Sequence, residues 1–174
     1  MMQNEMNDLA CSFKPVINDS AKILILGSMP GVKSLEEQQY YAHPKNAFWR
    51  IMAALFQFDK DAPYAERLEF LQLNGVALWD VLHSCRREGS LDSKIQLETQ
   101  VANDFKSLFQ TYPKISHVYF NGGKAESYFK RHIAPSLLEY SLSYQRLPST
   151  SPAHATLSFA EKLEAWRVMQ SFIQ

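Results

Sequence analysis

The chain has 174 residues, of which 46% are hydrophobic and 13% aromatic, and its 18 basic side chains balance its 18 acidic ones. This length fits one domain with one substantial core. The balanced charge argues against a strongly basic DNA scaffold protein, while it is compatible with an enzyme that carries a local basic rim.

The remaining composition excludes several classes of protein. No apolar run approaches the length that spans a bilayer, and the first eight residues lack the pattern of a secretory signal, so we expect a cytoplasmic protein. Cys11 and Cys85 form no C-x-x-C motif and are too few for an iron–sulfur cluster. The five histidines show no metal-ligand spacing. We therefore expect neither a metal nor a cofactor.

The hydrophobic pattern predicts alternating strands and helices along the chain. Strands are predicted at 22–27, 76–82, 115–120 and 143–147. Helices are predicted at 47–57, 64–74, 101–111, 123–133 and 158–173. The polar segment 84–95 is predicted to be a long loop, and residues 1–10 a loosely held N-terminus.

This alternation predicts a single α/β domain over residues 1–174, with a mainly parallel four-stranded sheet between two layers of helices. The loops that follow the predicted strands then meet at one edge of the sheet, where open α/β sheets bind their ligands. These loops are 28–46, 83–95, 121–124 and 148–157.

Four segments at this edge carry the residues expected of a binding site. They are Gly27-Ser28-Met29-Pro30-Gly31 with residues 40–49 behind it, residues 75–85, residues 118–125, and residues 147–155. In this order they resemble the motifs of the uracil-DNA glycosylase superfamily, in particular the hypoxanthine-removing branch, the DNA-deoxyinosine glycosylases. The resemblance spans nearly the whole chain beyond residue 20. It implies the α/β/α fold of that superfamily.

An enzyme that acts on a base in duplex DNA must first flip the nucleotide into a pocket. The resemblance implies that Tyr41 stacks on the base, that Asp80 accepts a hydrogen bond from its N1–H, and that Asn121 reads its edge. Gly27 and Met29 are expected beside the base. Each residue also has a plainer interpretation: packing for Tyr41, a cap or a salt bridge to Arg86 or Arg87 for Asp80, and a turn for Asn121.

Met29 is the main departure from the superfamily, most of which has an Asp or Asn that orients or activates the attacking water at this position. A thioether can do neither. We expect Asn46 to hold the water instead, because an amide close to the same strand end can position it. The alternative for Asn46 is the N-cap of helix 47–57.

Residues 149–155 correspond to the second motif of the superfamily, which contacts the DNA backbone. Ser149 is expected to stabilise the leaving base, although a hydroxyl is a weak donor for that task. Ser151, Pro152 and His154 are expected to contact DNA, and His154 is alternatively an exposed loop histidine. Lys45 and Lys124 are expected to contribute to a basic rim.

The leading hypothesis is a monofunctional DNA glycosylase that removes hypoxanthine, and as a second substrate uracil, from DNA. It would work as a monomer and without strand cleavage, since no lysine is placed as a Schiff-base nucleophile. A second hypothesis is a catalytically weak nucleic-acid binding module of the same fold. A third is a hydrolase of free nucleosides or other glycosides, against which the sequence shows no pair of carboxylates in the site loops.

Overall fold

The computed structural model describes residues 9–172. Seven strands lie in this range: β1 Leu9–Cys11, β2 Ile23–Gly27, β3 Val76–Asp80, β4 Leu82–Arg86, β5 Val101–Ala102, β6 His117–Asn121 and β7 Ser143–Leu147. Four of them form a parallel sheet in the order β3-β2-β6-β7. The predicted parallel four-stranded sheet is therefore confirmed.

Six α-helices surround the strands: α1 Val32–Glu37, α2 Phe48–Phe56, α3 Tyr64–Leu73, α4 Phe105–Thr111, α5 Gly123–His132 and α6 Phe159–Trp166. Alternate residues of the central strands face opposite sides, as strand geometry requires. Leu24 and Leu26 of β2 pack with α4 and α5 on one face. Ile23 and Ile25 pack with α2, α3 and α6 on the other. The molecule thus has the predicted three layers.

The prediction of a loop at 84–95 is wrong for its first residues. Only Val81 separates β3 from β4, which pairs antiparallel with β1 and β5 in a second, three-stranded sheet. In β4 only Leu82 and Cys85 are buried, and the exposed positions are polar. A short strand of this composition is difficult to distinguish from a loop.

The neighbours of β4 were also predicted differently. Residues 101–102 form β5, and the helix predicted from 101 begins at Phe105, after Asp104 has capped it by accepting from the Ser107 N–H. Residues 9 and 10, predicted to be loosely held, lie in β1, and residues 1–8 lie outside the described range.

Two further helical segments differ from prediction. Helix α1 lies inside the predicted loop 28–46. The final helix is α-helical only to Trp166 and continues as a 3₁₀-helix over Arg167–Phe172, while position 173 lies outside the described residues.

The carboxyl ends of the parallel strands set the position of the site. Gly27 ends β2 directly opposite Asp80, which ends β3. Asn121 ends β6 opposite Leu147, which ends β7. All four strand ends therefore open onto one edge of the sheet. Within residues 9–172, no helix is long and apolar enough to cross a membrane.

Candidate active site

A cavity of about 170 Å³ opens at this edge of the sheet. It is lined by nine of the residues predicted for the site: Gly27, Met29, Tyr41, Asn46, Asp80, Asn121, Ser149, Ser151 and Pro152. The volume is well above that of a single water molecule. Three other predicted residues do not line it: Lys45 and Lys124 are exposed, and His154 is half-buried in the 148–155 segment.

Gly27 lies where two sides of the cavity meet. A Cβ atom at this position would come 2.6 Å from Asp80 Oδ1 and 3.2 Å from the Tyr41 hydroxyl oxygen. The first of these distances is far inside normal contact, so only glycine allows the carboxyl group and the phenol to approach the end of β2 together.

Tyr41 is fixed in an unusual conformation. Its φ is 56°, in the left-handed region, and its ring stacks on Phe48 with centroids 4.0 Å apart and planes inclined by 26°. Phe48 thus covers one face of the ring, so at most the other face is available to a base. Burial and then the negative charge of Asp80 raise the pKa of the Tyr41 hydroxyl, which is therefore a neutral phenol at physiological pH.

Tyr40 also lines the cavity, but its polar groups are engaged in packing contacts. It is buried, its hydroxyl donates to the Lys14 carbonyl, and its own carbonyl accepts from the indole N–H of Trp49. These contacts account for its polar groups.

Asp80 is an almost fully buried carboxyl group, with 3% of its surface exposed. Its Oδ2 atom has no hydrogen-bond partner among residues 9–172. Burial, and secondarily the charge of Asp92, raises its pKa to about 7, while Arg87 acts in the opposite direction. Arg87 does not cap it: its Nη2 donates to the Pro30 carbonyl at 2.5 Å. Asp80 thus lines the cavity with one carboxyl oxygen, Oδ2, that has no partner among residues 9–172.

Asn121 has more contacts than the sequence suggested. Its Nδ2 donates to the Thr150 hydroxyl at 3.0 Å, and its Oδ1 accepts from the Thr150 N–H at 2.9 Å. A primary amide has two donor hydrogens and two acceptor lone pairs, so one of each remains for a ligand. Asn121 therefore joins β6 to the 148–155 segment and can still face a base.

Asn46 and Ser149 each have one polar atom engaged locally. Asn46 Oδ1 accepts from the Phe48 N–H at 2.9 Å, so the side chain supports the first turn of α2, whose N-cap position is Ala47. Ser149 Oγ accepts from the Ser151 N–H at 3.2 Å. The amide hydrogens of Asn46 and the hydroxyl proton of Ser149 are left for other partners.

Residues 14–170 match the family description of the Uracil DNA glycosylase superfamily. The chain belongs to this superfamily. It is 40% identical over 147 residues to a hypoxanthine DNA glycosylase from Methanosarcina acetivorans, an alignment that covers 84% of this chain and 89% of the relative. A hypoxanthine DNA glycosylase from Methanosarcina barkeri is 43% identical over 117 residues, covering 67% and 73%.

The fold agrees with this assignment. A solution NMR structure from Methanosarcina acetivorans, described as a candidate uracil DNA glycosylase, superposes with a TM-score of 0.76 at 35% identity. The match covers 93% of this chain and 99% of that one. The fold of the superfamily is thus present over nearly the whole chain.

Sequence reasoning missed several residues of this uracil-DNA-glycosylase-like site. Asp92 and Ser28 both line the cavity, and Ser28 Oγ donates to Asp92 Oδ1 at 2.8 Å. Arg87 is buried behind them. Asp92 belongs to the segment predicted only as a loop. The available signal was that its segment, the predicted loop 83–95, follows a predicted strand whose end lies at the ligand edge.

The 148–155 segment, which contains the predicted second motif (residues 149–155), is anchored by hydrogen bonds from α6 and from the start of α2. Lys162 is buried, with 6% of its surface exposed, and its ammonium group donates to the His154 carbonyl at 2.7 Å. The Trp166 indole N–H donates to the Pro148 carbonyl at 2.9 Å. At the middle of the segment, the Ala47 N–H donates to the Thr150 carbonyl at 2.9 Å. These bonds fix the segment to α6 and to the start of α2.

Proposed function

We propose that this chain is a monofunctional DNA glycosylase that flips deoxyinosine out of DNA and hydrolyses the bond between hypoxanthine and deoxyribose. The observation that carries the proposal is the similarity, over two thirds or more of the chain, to two proteins named hypoxanthine DNA glycosylase. The cavity at the carboxyl edge supports it, because it brings together an aromatic ring, an amide and a buried acid. Uracil is the second base to test.

Recognition of the base combines a flat face with a polar edge. Tyr41, backed by Phe48, offers a ring on which a base can stack, a contact worth about 1–3 kcal/mol. Asp80 reads the edge: as a carboxylate it accepts from the N1–H of hypoxanthine, and as an acid it donates to O6. The free donor and acceptor of Asn121 extend this edge reading.

The reaction breaks the C1′–N9 bond, whose electron pair leaves with the purine while positive charge develops on the sugar. Hydrogen bonds to the departing base from Asn121 and Ser149 stabilise the negative charge as it forms. The Asn46 amide donates to the attacking water and holds it in line with C1′. The products are free hypoxanthine and an abasic site.

DNA outside the cavity is held by the second motif and the basic rim. Ser151 and Pro152 line the mouth of the cavity, where a flipped nucleotide leaves the duplex. His154, Lys45 and Lys124 are proposed to contact the neighbouring backbone. One copy of the chain is sufficient for such a contact, so we propose that it acts as a monomer. We also propose that it acts in the cytoplasm.

The first experiment uses end-labelled duplexes that carry one deoxyinosine or one deoxyuridine, with alkali to cleave abasic sites. With enzyme in excess over DNA, we expect cleavage at deoxyinosine and a loss of about 100-fold in rate for Asn46→Ala. The matched control is Asn18→Ala. Asn18 Oδ1 likewise accepts from the N–H of the residue two positions later, Ser20, but Asn18 does not line the cavity. This control should retain the wild-type rate.

Two other outcomes identify the competing functions. Tight binding to the deoxyinosine duplex without any product would indicate a binding module, a function that Met29 and Ser149 favour because both depart from the usual catalytic residues. Release of hypoxanthine from free deoxyinosine but not from the duplex would indicate a nucleoside hydrolase.

A further inference from the structure

The attacking water needs a partner that the residues assigned so far do not supply. As water adds to C1′ it must lose a proton, so a group that can take up a proton has to face it. The Met29 thioether cannot do so. Asn46 Oδ1 accepts from the Phe48 N–H and keeps a second lone pair, but an amide is not a base at neutral pH. The proton acceptor must therefore come from another part of the cavity wall.

Two carboxyl groups line the cavity, and their surroundings divide the work between them. Asp80 has an unpartnered oxygen and no bonded donor for it in the described residues, so it is poised to hold a proton. Asp92 instead accepts from the Ser28 hydroxyl, at the residue that precedes Met29. A pair of carboxyls held in different environments commonly takes different acid and base roles.

Burial raises the pKa of the Asp92 carboxyl above its ordinary value, whereas the Ser28 hydrogen bond and the Arg87 and Lys124 cations act in the opposite direction. A carboxylate whose pKa is raised is a stronger base than an ordinary one, which suits a proton acceptor. The segment that carries Asp92 is anchored beside the first motif, because the Val32 N–H donates to Ser90 Oγ at 2.8 Å. Asp92 is therefore held beside the loop in which relatives place their water-activating residue.

We infer that Asp92 is a further catalytic residue, the carboxylate that accepts a proton from the attacking water in place of the residue that Met29 lacks. The inference rests on the proposed glycosylase function. As the water oxygen bonds to C1′, one of its protons passes to Asp92. The C1′–N9 electron pair leaves with hypoxanthine, which is then protonated, and Asp92 returns its proton to solvent. Water is the sole co-reactant.

The test is single-turnover excision from a deoxyinosine duplex by wild type and by Asp92→Asn. The amide keeps the size of the side chain and can still accept from Ser28, but it cannot take up a proton. We expect the rate to fall about 100-fold or more. The dissociation constant for a duplex with 2′-fluorinated, uncleavable deoxyinosine should stay within about threefold of wild type. Asp19→Asn, at an exposed aspartate, is the matched control and should react at the wild-type rate.

The outcomes separate this inference from the proposed function. Excision by Asp92→Asn within about threefold of wild type would overturn the inference and leave the function standing. Parallel losses of rate and binding would also overturn it, because they indicate a structural role. Absence of product with wild type would reject the function itself.

A second variant keeps the inference open to test if Asp92→Asn does not fold. Ser28→Ala retains the carboxylate and removes its hydrogen bond, so a rate about three- to tenfold below wild type is expected, with unchanged binding of the fluorinated duplex. A wild-type rate in Ser28→Ala would then count against Asp92.

Discussion

The two sides of the cavity are built from different kinds of interaction. The aromatic wall, Tyr41 and Asn46, is held by ring stacking on Phe48 and by a hydrogen bond to a backbone N–H. The acidic wall, Asp80 and Asp92, faces the buried cation Arg87 and can gain or lose protons. The comparison teaches that one wall presents a surface whose shape pH does not alter, while the other presents groups whose protonation changes with pH. Under the proposed function, the first wall would meet the face of a base and the second its edge.

The largest effect is expected where the two walls meet. Gly27→Ala places a methyl group 2.6 Å from Asp80 Oδ1, so the carboxyl group must move and disturb both walls at once. We expect hypoxanthine excision to fall about 100-fold, with a loss of roughly 1–3 kcal/mol in the free energy of unfolding. Single-turnover rates and urea denaturation measure the two quantities.

Gly75→Ala is the matched control at the opposite edge of the sheet. Gly75 has a φ of 74°, so alanine is strained there and should cost about 1 kcal/mol of stability, but the excision rate should not change. A Gly27→Ala variant that lost stability but kept the wild-type excision rate, as the control is expected to do, would contradict the prediction. It would show that the two walls do not depend on the close approach at Gly27.

The substitution Asp80→Asn tests whether the acidic wall responds to pH. The folded-state pKa of Asp80 is raised to about 7, so folding favours the protonated form. The wild type should therefore lose stability as pH rises from about 4 through about 7, by up to roughly 4 kcal/mol, whereas the variant lacks this loss. Thermal unfolding of both proteins from pH 4 to 9 measures the difference, which should grow with pH and then level off.

The same series with Asp19→Asn, a substitution of an exposed aspartate away from the cavity, provides the reference. If the difference in unfolding free energy between wild type and Asp80→Asn were constant from pH 4 to 9, Asp80 would not be the source of the pH dependence of the acidic wall.

Lys162→Met tests the support of the second motif, which lies against the aromatic wall through the Ala47–Thr150 hydrogen bond. Without the ammonium group, the His154 carbonyl loses its donor and the segment is less firmly positioned to open a duplex. We expect duplex excision to fall about tenfold, while single-stranded deoxyinosine, which needs no unpairing, is processed nearly as before. Lys114→Met, at an exposed site, should leave both rates unchanged. Equal losses on both substrates would point to general destabilisation.

The smallest effect is expected for Thr150→Val. The variant removes the acceptor of the Asn121 Nδ2 hydrogen bond but keeps the backbone bond to Asn121 Oδ1. One lost hydrogen bond, worth about 1 kcal/mol, corresponds to a rate about fivefold lower. Thr111→Val removes a comparable hydroxyl bond on α4 and should have no effect on single-turnover excision. If the excision rate fell further in Thr150→Val than in Asn46→Ala, Asn121 would contribute more to catalysis than Asn46.

The sequence predicted β2, β3 and β6 because they are short apolar runs, buried over most of their length, whereas β7 is exposed at four of its five positions. It also placed Gly27, Asp80 and Asn121 at one edge, since the carboxyl ends of parallel strands must coincide. The family motifs added Tyr41 and Asn46. All five of these residues line the cavity, and their individual roles stay predictions.

What sequence reasoning could not supply were contacts between distant segments. Asp92 meets Ser28 across 64 positions, and Asn121 meets Thr150 across 29. No local pattern encodes these distances, because they follow from packing after the sheet has formed. Strand β4 was missed for a different reason: its exposed positions are polar, and its partners, β1 and β5, are only three and two residues long.

The order of strands in the parallel sheet has a consequence for a chain emerging from the ribosome. Strand β2 lies between β3 and β6, so its two hydrogen-bonding partners are synthesised long after it. Residues 149–155, the predicted second motif, are synthesised later still. Such long-range pairing folds late and slowly. A nascent chain therefore lacks the complete cavity until residues 149–152, which line it, have been synthesised.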